Sequence, residues 1–148
     1  MKLSTRSRYG TRLLLDLALH DQAGPQPLRQ ISRRTAISVK YLEQIIPRLL
    51  GAGLVVSSRG QNGGYTLAGS AGSIRLSEVV KALEGSLDPV ACTETGEICP
   101  LSPDCASREI WREMSAAIHK TLDRVSLADL AARHRDKQAD RNAAMYYI

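Results

Sequence analysis

Ser38-Val-Lys-Tyr-Leu-Glu-Gln-Ile-Ile-Pro-Arg-Leu-Leu-Gly-Ala-Gly53, followed by Leu54-Val-Val-Ser-Ser-Arg-Gly-Gln-Asn-Gly-Gly-Tyr-Thr-Leu-Ala68, is the stretch whose reading decides the fold. Ser38 is a good helix N-cap. Leu42, Ile45, Ile46, Leu49 and Leu50 then recur at i, i+3, i+4, i+7 and i+8, the pattern of a helix packed on one face. Lys40, Tyr41, Gln44 and Arg48 point the other way. Pro47 removes the hydrogen bond to the Glu43 carbonyl and predicts a kink there. The Gly51-Ala-Gly53 run stops the helix. Residues 54–58 and 65–68 read as two strands, and Asn62-Gly63 between them is a strong hairpin signal.

Working towards the N-terminus, Pro27-Leu28 opens a short helix running to about Thr35, with Leu28 and Ile31 inward. A tight Ala36-Ile37 connection leads to Ser38. Short helix, brief turn and amphipathic helix form a helix-turn-helix, and a hairpin directly after the second helix is the wing of a winged helix. Residues 4–20 form a first helix, capped by Ser4 or Thr5, with Tyr9, Leu13, Leu14 and Leu17 as its apolar stripe. Leu15 and Leu19 widen that stripe almost all round. Arg6, Arg8 and Arg12 could reach phosphates; the alternative is a solvated basic face. Candidate DNA contacts on the second helix of the motif are Ser38, Lys40, Tyr41, Glu43, Gln44 and Arg48. On the wing they are Arg59, Gly60, Gly63 and Gly64, where glycine lets the backbone approach phosphate and Arg59 can enter a minor groove.

Towards the C-terminus, residues 77–84 form a helix with Val79, Val80 and Leu83 inward and Gly85 as its stop. All three cysteines follow: Cys92, Cys99 and Cys105. Their C-x6-C-x5-C spacing is too loose for a zinc ribbon, and an odd count argues against a self-contained disulfide framework. Three thiolates on one loop suit an iron–sulfur cluster; the alternative is three unrelated thiols. Ser102 as N-cap and Pro103 at the first helical position place Cys105 in a first helical turn, which favours its thiolate. No fourth ligand is evident. His119 lies roughly 21 Å further along a straight helix, and Glu94, Glu97 and Asp104 are oxygen candidates. From Pro103 on, Ile110, Met114, Ile118, Leu122 and Val125 make one apolar stripe, flanked by Trp111 and Ala117. The stripe reads as a dimer seam, with a buried core helix as the alternative. Residues 126–132 look like a short capped helix, residues 135–142 a charged mobile stretch, and Met145-Tyr-Tyr-Ile148 a segment that could dock.

The chain has 148 residues, a net charge of +5 and 43% hydrophobic residues. Those figures allow one domain of ordinary size with a real core. Basicity points to nucleic acid, with an acidic membrane surface as the weaker option. No apolar run approaches a membrane span, and the N-terminus lacks the apolar segment of a signal peptide. The expected compartment is therefore the cytoplasm, where cysteine clusters more often bind metal than form disulfides.

Tyr9, Ile37-Ser38 with Tyr41-Leu-Glu-Gln44, Gly53-Leu-Val55, and Arg59-Gly60 with Gly63-Gly-Tyr65 together resemble the Rrf2 family of bacterial winged-helix regulators. The cysteine triad ahead of a long helix resembles its iron–sulfur branch. Members without the triad, such as the cysteine-metabolism regulators, do not share this feature. The resemblance covers roughly residues 1–130 and implies a homodimer with two winged helices, two cluster loops and crossed long helices. There are departures. Arg108 stands where the branch's cluster regulator carries a histidine ligand, and Arg8 where its nitric-oxide-sensing repressor carries an acidic one. This favours a [4Fe–4S] cluster with one labile or unusual ligand over a [2Fe–2S] cluster.

The expected fold is mainly α with a small β-hairpin: a winged helix-turn-helix domain at 1–85, a cysteine loop at 86–105, a long dimerisation helix at 102–125, and a short helix with tail at 126–148. The expected function is a regulator of transcription that binds an operator in double-stranded DNA as a homodimer. It senses iron, cluster, redox or nitric-oxide status through a cluster on Cys92, Cys99 and Cys105. A cluster-free thiol-redox or zinc-binding regulator is the alternative. No nucleophile–base pair or nucleotide motif suggests an enzyme.

Overall fold

The computed structural model describes residues 3–93, 99–100 and 104–145. Helix α1 (Thr5–Leu19) starts where expected, because the Ser4 hydroxyl accepts from the Ser7 backbone N–H. A second anchor comes from far along the chain. The Glu84 carboxylate accepts from the Ser4 backbone N–H at 2.9 Å and from the Ser7 hydroxyl at 2.5 Å. Burial pushes the Glu84 pKa up, but these hydrogen bonds and nearby Arg6 outweigh it, and the net direction is down. Gly10 lets α1 pack closely: a Cβ there would collide with Leu83 Cδ1 in the core.

Helices α2 (Leu28–Thr35) and α3 (Val39–Gly51) follow, joined by Ala36 in the left-handed region at φ 56° and by buried Ile37. Ser38 caps α3, its hydroxyl accepting from the Tyr41 N–H. The helix runs unbroken through Pro47. Pro47 is exposed, so water can reach the Glu43 carbonyl that loses its usual donor. Strands β1 (Val55–Ser58) and β2 (Gly64–Leu67) pair antiparallel, Val55 with Leu67 and Ser58 with Gly64. Helix α4 (Leu76–Glu84) starts one residue earlier than expected and ends at Gly85, whose φ of 93° suits glycine.

The core lies where α1, α3 and α4 meet, built on Leu13, Leu14, Ile31, Leu42, Ile45, Leu49 and Leu83. Helix α5 (Ala106–Asp123) stands mostly outside it and buries only Ser115. Helix α6 (Leu127–Met145) returns along α1, with Leu127 fully buried in the core.

Two expectations change. The short helix with a mobile charged stretch is instead one helix of 19 residues. Residues 131–145 hold no Gly or Pro and five alanines, so helix propensity carries the chain on where hydrophobicity alone suggests disorder. Cys105 is the N-cap of α5 and not part of its first turn. Ser102 and Pro103, the expected start, lie outside the described residues, as do Glu94, Glu97 and the docking segment beyond Met145. No helix is long and apolar enough to cross a membrane among the described residues.

Candidate DNA interface and cysteine site

Burial of Leu42, Ile45, Ile46 and Leu49 turns the opposite face of α3 to solvent. Ser38, Lys40, Glu43, Gln44 and Arg48 are all exposed. Tyr41 is half-buried, because its ring meets Tyr9 of α1 edge-on at 5.4 Å and 83°. Arg12 lies 5.5 Å over the Tyr9 ring and donates to the Thr35 carbonyl at the end of α2. Helix α3 is thus fixed to α1 by an aromatic pair rather than by contacts of α2 alone.

The wing's tip, from Arg59 to Asn62, is exposed. Gly60 has φ 107°, and Gly63 N–H donates to its carbonyl at 3.0 Å. Gly63 and Gly64, expected to let phosphate approach, both have an internal reason to be glycine. A Cβ on Gly63 would fall 2.5 Å from the Ser58 carbonyl oxygen, and one on Gly64 would fall 2.5 Å from the Gln26 backbone. Gln26 adds a third, single-bridge strand to the wing, its backbone exchanging two hydrogen bonds with Tyr65.

Sequence reasoning missed the network that holds this assembly together. Arg34 on α2 donates to both carboxylate oxygens of Asp16 on α1, at 2.8 and 2.7 Å, and to the Gln26 side-chain oxygen at 2.9 Å. One guanidinium therefore ties α1, α2 and the root of the wing. The legible signal was Asp16 itself, an acidic residue between Leu14 and Leu17 on the apolar side of a helix. Asp16→Ala should lower stability by about 1.5–3 kcal/mol, because it removes the charge-assisted hydrogen bonds from Arg34. Urea unfolding tests this; an unchanged midpoint would show that the network adds nothing.

Of the three N-terminal arginines, Arg6 donates to the Leu83 carbonyl and Arg12 to that of Thr35, while Arg8 donates only to the Thr5 hydroxyl one turn back; Arg8 and Arg12 are both exposed.

At the cysteines, Cys92 sits in a single 3-10 turn (Ala91–Thr93), and Arg108 of α5 donates to its carbonyl at 3.2 Å. Arg108, the residue in the histidine's place, thereby ties the cysteine segment to α5. The Cys105 sulfur lies 3.3 Å from the Ser107 hydroxyl. That contact, the Arg108 backbone N–H and the Arg108 charge draw its pKa below the ordinary thiol range, against a smaller opposing effect of burial. All three thiols are free and half-exposed. Three soft donors, one of them favoured as thiolate, match an iron–sulfur cluster chemically. Among the described residues, however, no three His, Cys, Asp or Glu side chains stand close enough to share a metal ion. His119 is turned to Asp88 at 3.7 Å, and Asp88 also accepts from the Ser115 hydroxyl.

The α5 stripe is exposed in its first half and half-buried at Ile118, Leu122 and Val125. Ile110 is 57% and Met114 38% exposed. Met114, Ile118 and Leu122 line an apolar groove of about 530 Å³ with Leu3 and Val80.

Comparison with known proteins agrees with this architecture. Residues 3–133 match the family Rrf2, "Iron-dependent Transcriptional regulator". The chain is similar to Protein rrf2 of Nitratidesulfovibrio vulgaris, with 47% identity over 88% of this chain and 87% of that one. The structure of T. potens IscR covers 93% of this chain and 91% of its own, at 33% identity and a TM-score of 0.76. CymR, the global cysteine regulator of B. subtilis, covers 90% and 98% at 35% identity and a TM-score of 0.75. Two regulators with different names fit almost equally well, so the scaffold alone does not assign the thiols. A matched profile over most of the chain, a winged helix and close regulator relatives lead to one conclusion: the chain belongs to the Rrf2 family of transcriptional regulators, DNA-binding proteins and not enzymes.

Proposed function

We propose that the protein is a homodimeric operator-binding regulator whose DNA affinity follows an iron–sulfur cluster held by Cys92, Cys99 and Cys105. The observation that carries this reading is the placement of all three thiols between α4 and α5, with the acidified Cys105 at the α5 N-cap and Cys92 tied to α5 through Arg108. A cluster supplies reversible redox chemistry and lability towards oxygen or nitric oxide. The chain's own part is to connect the site to α5, the helix with the partly exposed stripe. Similarity to IscR supports a cluster. The absence of both familiar fourth ligands favours [4Fe–4S]. Visible absorption of anaerobically isolated protein is the test. A brown chromophore with bound iron supports the reading, and a colourless protein rejects it. The second reading, a thiol-redox switch or zinc site, draws on the same acidified Cys105, since a thiolate is also the form that oxidises or binds zinc.

On the DNA, α3 reads and the wing clamps. Lys40 and Gln44 lie in the early turns that reach base edges. Gln44 can pair bidentately with adenine, and Glu43 can accept from cytosine. Arg59 meets phosphate or a narrow minor groove. Gln44→Ala should change operator preference by about 1–3 kcal/mol at one position. Arg59→Ala should weaken all sequences together and reduce the salt slope by about one unit. Titration against an operator library at several salt concentrations separates the two roles. An unchanged preference profile for Gln44→Ala, with a reordered one for Arg59→Ala, would reverse the assignment.

A further inference from the structure

The return of α6 along α1 encloses a cleft of about 800 Å³, within the size range of small-molecule sites. Neither the DNA nor the cysteine reading assigns it a ligand. Arg12 and His20 of α1 line one side, and Arg34 closes the end at α2. His134, Arg135 and Gln138 come from α6, with Leu15 and Leu19 as apolar surface between.

We propose that this cleft binds a small polyanion, a di- or tricarboxylate or a phosphate ester. Charge selects the class. Three guanidiniums face one carboxylate, so the lining carries a formal net +2 without counting its histidines. That carboxylate, Asp16, is already bound at both oxygens by Arg34. A cation would meet net repulsion. Donor capacity points the same way. A guanidinium has five N–H donors, and among the described residues Arg34 spends only its Nε and Nη2 and Arg12 one bond from Nη1. The remaining N–H groups suit the two oxygens of a carboxylate or phosphate. Arg34 is also held in place in advance by Asp16 and Gln26, which lowers the ordering cost of binding. Leu15 and Leu19 offer contact to a carbon skeleton. The cations of the DNA-reading face, Lys40, Arg48 and Arg59, belong to α3 and the wing and not to this lining.

The test is calorimetric titration of the full chain with citrate and with pyrophosphate, against chloride at matched ionic strength. Saturable binding of one anion per chain is expected. A response to citrate identifies a carboxylate site, and a response to pyrophosphate a phosphate site. Arg135→Ala and Gln138→Ala alter exposed residues of α6, and each should weaken binding about tenfold. Circular dichroism checks that both variants keep their helix content. No saturable binding beyond the chloride control overturns the proposal, as does unchanged affinity in both variants. If Arg135→Ala weakens operator binding while neither anion binds, the cleft serves DNA phosphate and the proposal is wrong.

Discussion

Replacing any one of Cys92, Cys99 and Cys105 with Ala is expected to abolish the visible chromophore of anaerobically isolated protein and leave a folded chain. The two halves of that result have separate causes. None of the three cysteines belongs to the hydrophobic core, and all are half-exposed. Truncation to Ala therefore removes little packing, within about 0.5 kcal/mol for a surface change. A cluster with only three protein thiolates, by contrast, has no spare ligand. Loss of Cys105 should be as complete as loss of the other two, because no other thiol is available in the sequence. Absorption and iron content are measured together with circular dichroism. A triple variant that keeps iron and colour would show that the cluster is held elsewhere. A colourless parent protein that binds zinc or forms disulfides would move the function to the thiol reading.

The winged head was legible because its signals are local. Leu42, Ile45, Ile46 and Leu49 repeat at helical spacing, Asn62-Gly63 marks the hairpin, and Ser38 caps α3. What the sequence hid is long-range. Gln26 reads as a loop residue, and only its pairing with Tyr65 makes it part of the wing. Asp16 and Arg34 are 18 positions apart and signal nothing as a pair until α1 and α2 pack. Helix α6 was misread because its charges suggest solvation, whereas its alanines and the α1 surface favour helix. The α5 stripe lies between these cases. Its period was plain, and the structure adds that this chain leaves Ile110 and Met114 exposed and covers the rest only in part. The cysteine ligand set is legible only as chemistry, since spacing does not say which side chains converge.

Ile118→Glu is expected to turn the proposed homodimer into monomers and to weaken operator binding by about two orders of magnitude or more. Helix α5 has 18 residues and buries only Ser115, while Ile110, Trp111 and Met114 remain exposed. Asp88 accepts from the Ser115 hydroxyl and fixes the helix at its one buried point. Along the same helix Met114, Ile118 and Leu122 line the apolar groove shared with Leu3 and Val80. A second copy of α5 has the matching stripe by symmetry, and in a two-fold contact each substitution occurs twice. A buried Ile contributes about 1.5–3 kcal/mol, so two losses amount to about 3–6 kcal/mol. Placing two carboxylates in an apolar seam adds a desolvation penalty of several kcal/mol more. Every 1.4 kcal/mol is about tenfold in dissociation constant, which takes the dimer far outside micromolar stability. The drop in operator affinity follows because two tethered heads bind neighbouring half-sites as one ligand, and single heads do not. Ile118→Leu, which keeps volume and apolarity, should remain dimeric. Sedimentation equilibrium distinguishes the outcomes. A folded Ile118→Glu protein that stays dimeric would place the two-fold contact on a different surface, and the α5 stripe would then need another occupant.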